Sequence, residues 1–181
     1  MSNLMQWDEL NLIREYAASF FSRKQDKKSR DRFCDYLDYV LCLIYLYGWH
    51  DAEQIIGIVP FVDGLDDKTV NQVIGGKTFR GRITADTTPE DIIRLIDTEA
   101  HRDYNAGVFG AAVASGKAGI SKRWHTMADN RVRDPHAYME GMKVGLNDEF
   151  YTYTGDHTLY PGGFGVPELD CGCRCYVTLE V

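Results

Sequence analysis

Long apolar runs are missing from this 181-residue sequence. The longest, Tyr39–Tyr47, has nine residues, about half of the roughly 18 a membrane span requires. It is therefore expected as a buried helix segment, and no membrane span is expected. The opening Met1–Asp8 stretch lacks a basic region followed by an apolar one, which predicts no secretory signal. Paired cysteines are also missing. The five present, Cys34, Cys42, Cys171, Cys173 and Cys175, are odd in number and crowded at one end, which argues against a secreted disulfide framework and for synthesis in a reducing cytoplasm. Positive charge is in deficit, with 20 Lys+Arg against 27 Asp+Glu and a net charge of −7. That excludes a protein that coats nucleic acid non-specifically and confines any such contact to local basic groups. There is no internal repeat and no low-complexity tract.

What is present describes an ordinary globular chain, 44% hydrophobic and 26% charged, long enough to bury a core without staples. Aromatics are plentiful at 12%, including 11 Tyr, a composition suited to protein interfaces.

Trp7, Leu10, Ile13, Ala17, Phe20 and Phe21 recur at helical spacing and predict a first helix. Arg23–Arg32 reads as a polar, basic break with a solvated face. Phe33, Tyr36, Leu37, Val40, Leu41, Ile44 and Tyr47 predict a second helix, with Gly48 as its stop or a close-contact point. A separate short piece is expected over Asp51–Ile58, and another from about Asp66 to Gly75-Gly76, with Val70, Val73 and Ile74 on its apolar face. Thr88 as N-cap, Pro89 at the first helical position and Asp91 at the capping-box position mark a long helix whose core face includes Ile92, Leu95, Ile96, Glu99 or Ala100, Asp103, Gly107 and Ala111. It should end by Gly116–Gly119.

Beyond position 120 the pattern changes. Short strands are expected over Arg123–Met127, Lys143–Leu146 and Phe150–Thr154. A turn is expected over Ala128–Arg133, a short helix opening at Asp134, and a Gly/Pro loop over Asp156–Asp170. Cys173, Cys175, Val177, Leu179 and Val181 alternate, which predicts a half-buried final strand. The predicted fold class is α+β: a helical region over 1–119, then a small mixed α/β domain over 120–181 with short antiparallel strands.

Three groupings carry candidate chemistry. Gly75-Gly76-Lys77-Thr78 ends like a phosphate loop, but Asn71 stands where the loop needs glycine and the preceding run is not strand-like. It is expected to be a turn. His136 with Cys171, Cys173 and Cys175 is a zinc-capable donor set, although Cys-x-Cys-x-Cys is not the usual Cys-x-x-Cys chelating spacing. The expectation is no cofactor, the cysteines serving as small buried hydrophobes. Asp129, Arg131, Arg133 and His136 offer an acid, guanidinium groups and a base. With no second carboxylate at metal-binding spacing and no evident nucleophile, they read as a structural network.

The order of these pieces resembles a known family. Lys122-Arg123-Trp124-His125-Thr126, Asp129-Asn130-Arg131-Val132-Arg133 with His136, then Gly141, Phe150, Pro161-Gly162 and Cys173-Arg174-Cys175 are similar to the signature of the phage Mu F-like minor head proteins, also called head morphogenesis proteins. Gly76-Lys77-Thr78-Phe79 with Arg82, and Thr98-Glu99 with Arg102, Asn105 and Gly107, resemble its upstream segments. The Asn that precedes Cys-Arg-Cys in the family is Gly172 here, and Cys171 is additional. The resemblance implies a phage or prophage minor head structural protein and no catalytic residue. It implies location inside the virion head, the portal or major capsid protein as partner, a role in head morphogenesis, local contact with packaged DNA, and passage with that DNA on ejection. In this reading Trp124, Asp129, Arg131, Arg133, His136, Cys173 and Cys175 form a fold-defining knot. Asp129 is buried and paired with the arginines, so Arg133→Ala would strand a carboxylate. At this chain length no appended toxin domain is expected. The alternatives are a metal-assisted nuclease or toxin-type enzyme on the same domain, and a DNA-binding accessory factor.

Overall fold

A computed structural model describes residues 8–59 and 72–181. The fold is α+β, as the pattern predicts. Helix α1 (Asp8–Phe20) leads through a polar turn to α2 (Lys27–Ile56). Asp26 caps α2, its carboxylate accepting from the Ser29 amide at 2.7 Å. A one-turn α3 (Phe79–Arg82) and the long α4 (Pro89–Ala114) follow. The Thr88/Asp91 capping box forms in full, each side chain meeting the other residue's backbone amide.

The remaining elements are β1 (Ser121–His125), α5 (Asp134–Tyr138), β2 (Lys143–Gly145), β3 (Phe150–Tyr151), β4 (His157–Thr158), α6 (Pro167–Asp170) and β5 (Tyr176–Glu180). Strands β2, β1 and β5 form an antiparallel sheet in that order, with Trp124 opposite Val177 and Lys122 opposite both Val144 and Leu179. Strands β3 and β4 pair separately. Glu180 sits between Arg123 at 2.7 Å and Lys143 at 2.6 Å, a surface tie across all three strands of the sheet.

Gly48 does not stop α2, and no separate helix begins at Asp51; α2 runs unbroken to Ile56. A Cβ at Gly48 would lie 2.1 Å from the Tyr104 carbonyl oxygen, and one at Gly107 would lie 2.0 Å from that of Tyr45. The two glycines let α2 and α4 touch backbone to backbone, and that contact outweighs the roughly 1 kcal/mol that glycine costs inside a helix. Helix α1 is tied to α4 by Arg14 and Asp97 at 2.6 Å. Arg80 of α3 reaches Asp35 and Asp38 of α2, each at 2.8 Å.

Other expectations shift by a few residues. The final strand begins at Tyr176, so the cysteines precede it, although the alternating burial continues through Cys173, Cys175, Val177 and Leu179. The Gly/Pro loop contains β4 and α6. Arg133, not Asp134, holds the N-cap position of α5. Gly75-Gly76 forms the turn that closes the Ile74–Lys77 bridge. Val73 and Ile74 are not helical; the rest of the helix expected from Asp66 to Asn71, and Trp7, lie outside the described residues. One cluster of buried side chains runs from Leu10 and Ile13, through Ile92 and Ala111, to Trp124, Phe150 and Leu179, on both sides of position 119/120. No helix among the described residues is long and apolar enough to cross a membrane.

Candidate functional site

The residues from the predicted knot divide into a buried centre and an exposed rim. His136, in the middle of α5, is 1% exposed. Its ring stacks on Phe164 with centroids 5.6 Å apart and meets Trp124 edge-on at 5.7 Å. Trp124 in turn meets Phe150 at 5.2 Å. The segment after α6 brings two sulfurs to this ring: Cys173 Sγ lies 3.6 Å and Cys175 Sγ 3.5 Å from His136 Nδ1. The three donor atoms lie within 4.8 Å of one another. His136 Nε2 is buried without a hydrogen-bond partner. The Cys175 thiol donates to Cys173 and, with His136, draws Cys173 well below the usual thiol range against its burial. Donating that bond, and burial, push Cys175 up. A cavity of about 10 Å³ opens over the sulfurs, walled by Met127, Arg131, Arg133 and Arg174.

The sulfurs arrive together because of a turn. Gly172 has φ +70°, a left-handed backbone that glycine adopts freely and asparagine more readily than other residues. Its amide donates to Thr98 Oγ1 at 2.9 Å, and the Cys173 amide donates to the Asp170 carbonyl at 3.0 Å. Cys171 is half-buried and lies outside the donor cluster.

The rim corrects one expectation. Asp129 is not buried and does not pair with the side chains of Arg131 or Arg133. It forms a two-pronged pair with Arg174 at 2.7 and 2.8 Å and accepts from the Arg131 amide at 3.0 Å. The Arg174 guanidinium holds the Asp129 carboxyl below its ordinary value. Arg131 is exposed. Arg133 turns to the C-terminal end of α6 and donates to the Leu169 carbonyl at 3.4 Å and to the Cys171 carbonyl. Arg133→Ala would therefore free two carbonyls and strand no carboxylate.

The strongest polar constellation was missed as a site. Glu99, Arg102, Asp103 and Asn105 of α4 are all fully buried. Arg102 lies 2.6 Å from Glu99 and 3.1 Å from Asp103, and Arg82 reaches Glu99 from α3. Burial pushes Asp103 well above the usual carboxylate range against the pull of Arg102. Asn105 Oδ1 accepts from the Val177 amide at 3.1 Å, while Nδ2 donates to the carbonyls of Cys175 at 3.2 Å and His101 at 2.8 Å. Strand β5 is the edge of its sheet, so a side-chain amide does there what a fourth strand would do. Asp170 accepts from the amides of Phe164 at 3.1 Å and Gly165 at 2.6 Å, its carboxyl raised to about 6 by burial. The signal was legible: carboxylates at 99 and 103 fall on the apolar face of an otherwise ordinary helix.

Sequence comparison assigns the class. Residues 67–178, from just before α3 into β5, match a phage-protein family profile. The chain belongs to that family, described as Phage Mu protein F like protein. It is 32% identical over 79 residues to the minor head protein GP7 of Bacillus phage SPP1, a match covering 43% of this chain and 26% of that protein. It is 28% identical over 141 residues to the NAD(+)–arginine ADP-ribosyltransferase EFV of Enterococcus faecalis, covering 68% of this chain and 27% of that protein. The chain thus matches about a quarter of the length of each relative. No solved structure matches it.

Proposed function

We propose that this chain is a minor head protein of a phage or prophage, acting in head assembly by docking on the portal or the inner face of the capsid. The family match over residues 67–178 carries the reading, and the similarity to a minor head protein of phage SPP1 supports it. The surface is compatible with protein docking. Leu12, Tyr16, Tyr36 and Tyr39 are exposed on α1 and α2, and Leu12, Tyr16, Arg32, Phe33 and Tyr36 line a groove of about 460 Å³. Aromatic side chains of this kind serve interfaces well. The net charge of −7 favours a protein partner over DNA as the main contact.

The similarity to the Enterococcus transferase covers 27% of that protein. We read the shared stretch as an assembly module common to both. The test is to co-express the chain with a portal and coat protein from the same source and separate assembled heads on a sucrose gradient. The chain is expected to sediment with the heads, and to leave both DNA with magnesium, and NAD with an arginine-bearing protein, unchanged. A chain that stays at the top of the gradient while portal and coat sediment would refute the docking role.

A further inference from the structure

We propose that His136, Cys173 and Cys175 bind a zinc ion that pins α5 to the segment entering β5. The argument starts from valence. A neutral imidazole nitrogen offers either one lone pair or one N–H. Nδ1 of His136 nevertheless faces two sulfurs at near-equal distances, 3.5 and 3.6 Å. A hydrogen bond shared between the two sulfurs is a weak three-centre contact, whereas a cation between the three atoms engages each of them in full.

The distances fit such an ion. With zinc–sulfur bonds of about 2.3 Å and a zinc–nitrogen bond of about 2.0 Å at a tetrahedral angle, nitrogen and sulfur stand roughly 3.5 Å apart. Two thiolates and a neutral imidazole cancel the two charges of the ion, so the complex can be buried without net charge, as these residues require at 1–5% exposure. Thiolate and imidazole together select zinc over the hard cations. The fourth position would face the cavity of about 10 Å³, close to the space one water needs. With Nδ1 on the metal, Nε2 carries the proton. The stack with Phe164 and the edge of Trp124 then orient the ring in place of an outer hydrogen bond.

The ligands come from positions 136, 173 and 175, so the ion would close a 37-residue span between α5 and the last turn before β5. Cys171, half-buried and outside the cluster, takes no part.

The experiment uses the full chain carrying a tag without histidines, produced in zinc-supplemented medium and purified without chelators. Plasma mass spectrometry should find about one zinc per chain, retained in Cys171→Ser and lost in Cys173→Ser. To separate metal loss from misfolding of the second variant, metal-stripped wild-type protein is also titrated with cobalt(II). The expected spectrum combines thiolate-to-cobalt charge-transfer absorption in the near ultraviolet with the visible bands of tetrahedral cobalt. Folded wild-type protein with less than about a tenth of a zinc per chain and no cobalt–thiolate absorption overturns the proposal. Full zinc retention in Cys173→Ser overturns it as well.

Discussion

Asn105 is where the helical part of the chain holds the sheet, and Asn105→Ala tests that role. The side chain satisfies the Val177 amide at 3.1 Å, on the outer edge of β5, and the Cys175 carbonyl at 3.2 Å, one residue before the strand. Asn105 is fully buried and Val177 is 5% exposed, so water cannot replace it without opening the interface. Each stranded backbone group costs about 1–3 kcal/mol. The pair then amounts to roughly 2–5 kcal/mol, since the α4–β5 contact can relax and readmit some water. For a chain of this size that corresponds to a melting-temperature drop of roughly 5–15 °C. Circular dichroism melts give the total. Amide hydrogen exchange gives the location: Val177 should lose protection while Trp124, whose amide donates to the Met142 carbonyl at 2.9 Å, loses less. Asn105→Asp should lose at least as much as the alanine variant, because a carboxylate accepts from Val177 but faces the carbonyls of Cys175 and His101 with no donor. A melting temperature for Asn105→Ala within about 1 °C of wild type would refute the reasoning.

Two further perturbations address other parts of the fold. Gly48→Ala places a methyl group 2.1 Å from the Tyr104 carbonyl oxygen, so α2 and α4 must move apart. The expected loss is about 1–3 kcal/mol despite the better helix propensity of alanine, and an equally or more stable variant in urea denaturation would show that the close approach is not required. Lys122 is buried with its ammonium donating to the Leu146 carbonyl at 2.7 Å and lying 4.8 Å from the Phe109 ring centroid. Burial lowers its pKa from the ordinary 10.5 to about 8. The folded state thus penalises the charged form, so this residue's contribution to stability rises as pH climbs from about 8 through 10.5, by roughly 3 kcal/mol. Lys122→Met should abolish that rise, measured as the wild-type-minus-variant difference in unfolding free energy; a difference that is flat across this range would contradict it.

How far the sequence could be read depended on whether a residue's partner was local. The α4 start was legible because Thr88, Pro89 and Asp91 act within one turn, and the capping box forms as written. Alternation placed Cys173 and Cys175 on one buried side even though β5 begins only at Tyr176, because period-two geometry survives in extended chain outside a paired strand. Gly48 was ambiguous for a physical reason. Glycine lowers helix propensity and also permits backbone contact, and the sequence does not state which effect has a partner. Gly107 across the interface decides it.

The Asp129 assignment failed in the opposite way. Arg131 and Arg133 are two and four residues away, and proximity in sequence suggested pairing. In the structure the Asp129 carboxylate accepts from the Arg131 backbone amide. That closes the turn, leaving the Arg131 side chain exposed while Arg133 reaches the end of α6. The guanidinium left for Asp129 is that of Arg174, 45 residues on, presented by the residue between the two buried cysteines. Alternation that buries positions 173 and 175 must turn 174 outward, toward the Ala128–Arg133 turn. One local pattern therefore fixes both the sulfur pair facing His136 and the arginine facing Asp129. A substitution that shifts this register by one residue would break the donor cluster and the surface pair together.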